Sequence, residues 1–227
     1  MASQGRYFRF VRHALRLWFR HYRCSYQEEI VHPVIYICRH RNTVGPISTL
    51  CCLPAGIRPW VFSVFTEIET CHKQLSEYTF PITWHIKPAL SAFLARISSR
   101  PFVGLVNSSG AIPVYRSSLQ IRQTFQKSIE ALLNGDSLII YPDVNYVEEN
   151  AANGTLYDGF LMLEMMWNRK TGGHVRFVPV NISVTRRRMD VGKSISFPGV
   201  RPYNEEKKAV VHMLEASLDD LASKYGL

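Results

Sequence analysis

The stretch VIYICRHRNTVGP, residues 34–46, decides how the rest of the chain is read. Its first five residues are apolar and rich in β-branched side chains, as a strand buried on both faces requires. They run directly into a polar cluster, Arg39-His40-Arg41-Asn42-Thr43, and then into Gly45-Pro46, from which a helix is predicted over 46–53. Strand, polar turn and helix make the first half of a right-handed crossover unit. In open α/β sheets the reactive groups gather at the carboxyl ends of such strands.

Moving outward, the alternation continues. WVFSVF (60–65) reads as a strand, 67–78 and 86–98 as helices, and 111–115 as a short strand. Residues 118–135 give the clearest helix: Ser118 is its cap, Ile121, Phe125, Ile129 and Leu132 its apolar stripe, and Gly135 its stop. SLIIY (137–141) is a strand that leads to Pro142-Asp143 and a polar loop through Gly154. A helix at 158–168, a strand at 175–184, a hairpin-like stretch at 186–197 and a final helix at 204–224 complete the pattern. Strands alternating with helices of this length predict an α/β fold, a single domain with a mainly parallel central sheet flanked by helices. No repeat or linker divides it. The expected organisation is an N-terminal basic amphipathic helix in residues 1–30 and the α/β domain in 31–227.

The chain has 227 residues, 46% hydrophobic and 20% charged, which provides a real core and excludes a disordered polyelectrolyte. Five cysteines without a C-x-x-C pair indicate neither a disulfide framework nor a zinc knuckle, and fit a reducing compartment. No run reaches the roughly 18 uninterrupted apolar residues of a membrane-spanning helix. Arginine recurs too often near the N-terminus for a secretory signal.

The net charge of +9 is unevenly placed: residues 1–41 hold eight Arg and two Glu and so carry +6 of it. In RYFRFVRHALRLWFRHYR (6–23), Phe8, Val11, Leu15, Trp18 and Tyr22 form one helical stripe. Arg9, Arg12, Arg16, Arg20 and Arg23 form another. A basic amphipathic helix with aromatics on its apolar side is the composition of an in-plane interfacial helix, and predicts an anionic membrane surface as partner. The expected location is cytoplasmic, peripheral on the inner face of the cell membrane. Nucleic acid is not expected, because aromatic and basic residues do not interleave beyond residue 41.

Four blocks now stand in order: His40 with Gly45-Pro46, Gly110 with Arg116, Tyr141-Pro142-Asp143, and Val178-Pro179-Val180. In order and spacing they resemble the glycerolipid acyltransferases, among them the lysophosphatidic acid acyltransferases, whose blocks are H-x4-D-P, G-x-x-x-x-x-R, F-P-E-G and V-P-V. The resemblance spans residues 34–182. It implies a His base on an acceptor hydroxyl, which attacks the thioester of acyl-CoA or acyl carrier protein. An aspartate orients the His, and later Arg and acidic residues hold the acceptor. On this reading His40 and Asp143 are catalytic, and Arg116, Gly110, Arg41, Asn42, Pro142 and Tyr141 bind substrate. The acceptor is a lysophospholipid-like or other lipid, with no bound cofactor and no metal.

The chain departs from that pattern where the aspartate is expected, which is Gly45. Three consequences stay open. Another carboxylate replaces it, Asp143 first, with Glu67, Glu69 and Asp158 behind; or the acceptor is an amine that needs less activation; or the domain is a catalytically silent lipid-binding relative. Taken singly, His40 and Asp143 also suit capping or turn positions, Gly110 a backbone role and Arg116 a surface ion pair. Cys51-Cys52 reads as core. An acyl-chain tunnel is expected to be lined by residues 89–97 with Leu161, Met162, Met165 and Met166.

Overall fold

The computed structural model describes residues 4–18, 21–40, 44–115, 120–143 and 156–224. Arg41, Asn42, Arg116 and Ser118 therefore lie outside the described residues.

The apolar runs form strands where they can be buried on both sides. β2 (Ile35–Cys38), β5 (Ser137–Ile140) and β6 (Phe177–Ser183) are buried almost throughout and lie side by side. Flanking them are β1 (Arg23–Tyr26), β3 (Ile57–Phe62), β4 (Ile112–Val114) and β7 (Arg188–Val191), in the order β1-β7-β6-β2-β5-β3-β4. Among the described strands every neighbouring pair is parallel except β6 with β7. The hairpin-like stretch is thus the antiparallel partner of β6. Pro179 is accommodated inside β6 opposite a bulge: pairing passes from Val180 with Val191 to Phe177 with Ile195, three residues against four, and the Pro179 carbonyl accepts the Gly192 N–H at 2.9 Å between them.

Helices cover both faces. On one, α5 (Ile121–Leu133), α6 (Met162–Thr171) and α7 (Tyr203–Ser223) close a core around Ile35, Ile37, Leu138, Ile140 and Phe177. On the other, α2 (Val44–Cys52) and the segment around Tyr22 and Ile30 cover Tyr36, Ile139, Val178 and Val180. The α5 face includes two buried hydroxyls. Thr124 donates to the Pro113 carbonyl at 2.7 Å, and Ser128 accepts the Trp60 indole N–H at 2.9 Å, which satisfies groups that burial would otherwise penalise.

Between β3 and β4 the chain leaves the sheet and builds a helical lobe. The strand expected at 60–65 ends at Phe62, and 63–65 become a 3₁₀ turn. Then come α3 (Ile68–Gln74), a π-helical stretch Leu75–Thr83, and α4 (Pro88–Ser108). The lobe has its own small core of Cys71, Leu75, Phe80, Ala95 and Val103. This corrects the expected tunnel lining: Ala95 belongs to the lobe core, whereas Leu161 and Met166 belong to the core beneath α5 to α7. The two segments pack into different cores.

The N-terminal helix α1 (Arg6–Trp18) is docked on α4 and α2. Phe8 is buried and Val11 and Leu15 are half-buried, so the stripe read as the membrane side faces the protein. A second apolar stripe, Tyr7, Phe10 and Leu17, is the exposed one. Arg12 also turns inward, donating to the Leu50 and Leu53 carbonyls at 3.0 and 2.5 Å at the end of α2, while Arg9 and Arg16 are exposed. Burial lowers the Arg12 pKa, and neighbouring Arg16 lowers it further. The boundary at residue 30 falls between β1, which pairs with β7, and β2.

Candidate functional site

From β2 the chain crosses through α2 to β3 on one side of it, and from β5 it crosses through α6 to β6 on the other. β2 and β5 are neighbours, and their connections run in opposite directions, each past the other strand, over opposite faces. A crevice opens at such a point at the carboxyl ends of the strands, where open α/β sheets bind their ligands. His40 follows β2 and Tyr141-Pro142-Asp143 follows β5, so four of the predicted site residues meet there.

The contacts are direct. The Asp143 carboxylate accepts a hydrogen bond from the main-chain N–H of His40. The ring of Tyr141 packs edge-on against the His40 imidazole, with centroids 5.7 Å apart and planes at 74°. Burial raises the Asp143 pKa; the His40 N–H, the His40 side chain and Arg39 oppose that shift. The Tyr141 hydroxyl is buried as well, and desolvation holds its pKa well above the ordinary phenol value. The segment is held from beneath. Tyr157 N–H donates to the Pro142 carbonyl at 2.8 Å, Asp143 forms a β-bridge with Leu156, and Leu156 N–H donates to the Glu215 carboxylate at 2.9 Å. Beside His40, the buried Arg39 guanidinium meets Asp219 of α7 at 2.5 Å.

Gly45 opens α2 at a position with no room for a side chain. A Cβ there would run into the carbonyl oxygen of His40. The Gly45 carbonyl accepts the Thr49 hydroxyl at 2.7 Å, and Thr49 Oγ1 is 3.9 Å from Cys38 Sγ, which ties the turn back to β2. Thr49 was not singled out in the sequence; its signal was a hydroxyl four residues after Gly45 within an apolar helix. Cys51 is core, as read: burial pushes its thiol up to about 11, so it is protonated at neutral pH.

The other predicted residues are placed differently. Gly110 lies before β4, on the opposite edge of the sheet from His40. Its φ of +74 suits glycine, and its carbonyl accepts the Arg58 Nε–H at 2.8 Å, with Arg58 also 3.7 Å from Asp136. β4 ends at Val114 on the His40 edge, but Arg116 beyond it, like Arg41 and Asn42, falls outside the described residues. Among the described residues no His, Cys, Asp and Glu cluster forms a metal site.

A histidine and a carboxylate held at the ends of neighbouring strands can exchange a proton with a bound hydroxyl or amine, while the charge of the neighbouring Arg39 is met by Asp219. Compared with known proteins, the chain matches no protein-family model and no curated protein sequence. Its structure resembles the crystal structure of the 1-acyl-sn-glycerophosphate (LPA) acyltransferase PlsC from Thermotoga maritima, with a TM-score of 0.53 and 11% identity, over 98% of this chain and 85% of that one. This likeness shows the fold: a mixed, mostly parallel sheet flanked by helices, of the kind seen in that acyltransferase.

Proposed function

We propose that the chain is an acyltransferase moving a fatty acyl group from an acyl thioester, acyl-CoA or acyl carrier protein, to a lysophospholipid-like or other lipid acceptor. His40 is the general base. Its imidazole takes the proton of the acceptor hydroxyl as the oxygen attacks the thioester carbon, and the thiolate of the carrier leaves when the tetrahedral intermediate collapses and recovers that proton. Asp143 supplies the carboxylate that Gly45 does not. Arg116, Arg41 and Asn42 are assigned to the anionic end of the acceptor, and Tyr141 and Pro142 to the wall of the crevice. The N-terminal helix brings the protein to an anionic membrane on the cytoplasmic side.

The observation that carries this reading is the placement of the Asp143 carboxylate, which accepts the main-chain N–H of His40, beside that residue at the carboxyl ends of the neighbouring strands β2 and β5. It is tested by incubating the protein with labelled acyl-CoA and a panel of lyso-lipids and amines, alongside His40→Ala. Transfer by the wild type and its loss in the variant are expected. Absence of transfer, or transfer indifferent to the substitution, would point to a silent lipid-binding protein.

A further inference from the structure

We propose that the outer face of the helical lobe is a second membrane-docking surface, on which α4 lies in the plane of an anionic leaflet beside α1. The reading above assigns the membrane to the N-terminal helix alone; this one adds a separate element and does not depend on acyl transfer. Leu90, Phe93 and Ile97 of α4 are 51%, 59% and 56% exposed, and their spacing of 3 and 4 puts them on one side of the helix. Ser91, Ala95 and Ser99 are buried on the other side, so the stripe is fixed outward by the packing of the lobe. Exposed Arg96 and Arg100 flank it, and Trp84, 49% exposed, stands in the turn that leads into the helix. Apolar centre, cationic rim and a Trp at one end form the pattern of an in-plane interfacial helix. By length and composition α4 could cross a membrane, but its inner face is built into the lobe, which leaves only the outer stripe for lipid.

Charge identifies the occupant. From residue 78 to residue 129 the sequence contains no Asp or Glu and has Lys87, Arg96, Arg100, Arg116, Arg122 and Lys127. Residues 1–27 likewise contain no acid and six Arg. These two acid-free stretches meet in the fold. Gly5 N–H donates to the Ser108 carbonyl at 2.7 Å, Phe8 N–H to the Ser108 hydroxyl at 2.9 Å, and the Tyr7 ring covers Gly104. Gly104 and Ser108 continue the azimuth of Leu90 and Ile97 along α4. The helix is therefore covered by α1 at its C-terminal end, while Leu90, Phe93 and Ile97 in its N-terminal half stay bare. A second copy would oppose like charges across this face. An anionic leaflet satisfies both the charge and the apolar stripe.

Flotation of the full chain with vesicles of phosphatidylcholine, with and without phosphatidylglycerol, tests the proposal. The wild type should float with the anionic vesicles. Leu90→Gln/Phe93→Gln/Ile97→Gln should partition at least roughly tenfold more weakly, and Arg96→Glu/Arg100→Glu should bind at least roughly tenfold more weakly with a shallower salt dependence, α1 holding the remainder. The charge-reversal pair carries the test alone if the triple variant does not melt as a folded protein. Wild-type flotation by both variants, or equal binding to neutral vesicles, would overturn it. Wild-type flotation combined with weakened binding of acyl carrier protein would assign the face to an acidic protein instead. No acyl donor is present, so the result is independent of whether His40 transfers acyl groups.

Discussion

At position 45 a side chain is excluded by the main chain, because the carbonyl of His40 occupies the place of its Cβ. Returning an aspartate there should not restore a familiar dyad. Gly45→Asp and Gly45→Ala are both expected to lower stability by about 1–3 kcal/mol, the usual cost of overpacking a close contact, and neither should raise acyl transfer. Faster transfer by Gly45→Asp would mean the turn opens freely and that Asp143 is not the replacement. At Asp143 the sign of the pH effect follows from burial. Its folded pKa is raised above the ordinary 3.8, so its neutral form is the one the fold favours. Its contribution to stability is complete below 3.8 and is lost as pH rises through the raised folded value. Asp143→Asn keeps an acceptor for the His40 N–H and removes the charge. The variant should melt no lower than the wild type at neutral pH and show a flatter acid-side dependence of Tm, while acyl transfer falls by up to about 10⁴, as when hydrolytic triads lose their carboxylate. Unchanged transfer with unchanged stability would leave Asp143 as a turn residue only.

Among the elements, α1 shows what periodicity can and cannot reveal. Its helical character and basic side were legible, but it carries two apolar stripes, and only tertiary packing decides that Phe8, Val11 and Leu15 turn inward while Tyr7, Phe10 and Leu17 stay out. The same packing separates its arginines. Arg12→Met removes two hydrogen bonds to the orphan carbonyls at the end of α2, and should destabilise by about 1–3 kcal/mol in a denaturant titration. Arg9→Met and Arg16→Met, on the exposed side, should stay within about 0.5 kcal/mol. Equal effects at all three would mean Arg12 is solvated. A charge reversal that included Arg12 would therefore damage the fold and mislead any membrane assay. Strands β2, β5 and β6 could be read because burial on both faces writes a continuous apolar run. β1 could not: RCSY is mostly exposed, and its order comes from backbone pairing with β7. The tunnel lining failed for a related reason, since apolar helix faces announce burial and not which core receives them.

At the scale of the whole molecule, the site was legible because topology places it: once β2 and β5 are parallel neighbours whose connections leave over opposite faces, the residues after them must meet, whatever the details of their motifs. The role of α1 was not, because it depends on contacts far apart in sequence. Gln4 donates to the Ile57 carbonyl at 3.1 Å, Gly5 and Phe8 bond Ser108 of α4, and Arg12 holds the end of α2. The helix is thus a strap joining the lobe to the sheet and to the helix that begins beside His40. Removing residues 1–30 would cut this strap and strip β1 from β7, exposing a strand edge that promotes association. A chain of residues 31–227 should accordingly melt lower and aggregate more readily. Its amide exchange should rise most in the lobe, residues 63–108, and less in α5, α6 and α7, whose core does not touch the strap. The two consequences separate, because a lost edge strand loosens β7 and β6 whereas a lost strap loosens α4 and α2. If the shortened chain keeps the wild-type melting point and lobe protection, then α1 is an appendage carried by the domain, and its contacts with Ser108 and α2 contribute nothing to holding the lobe against the sheet.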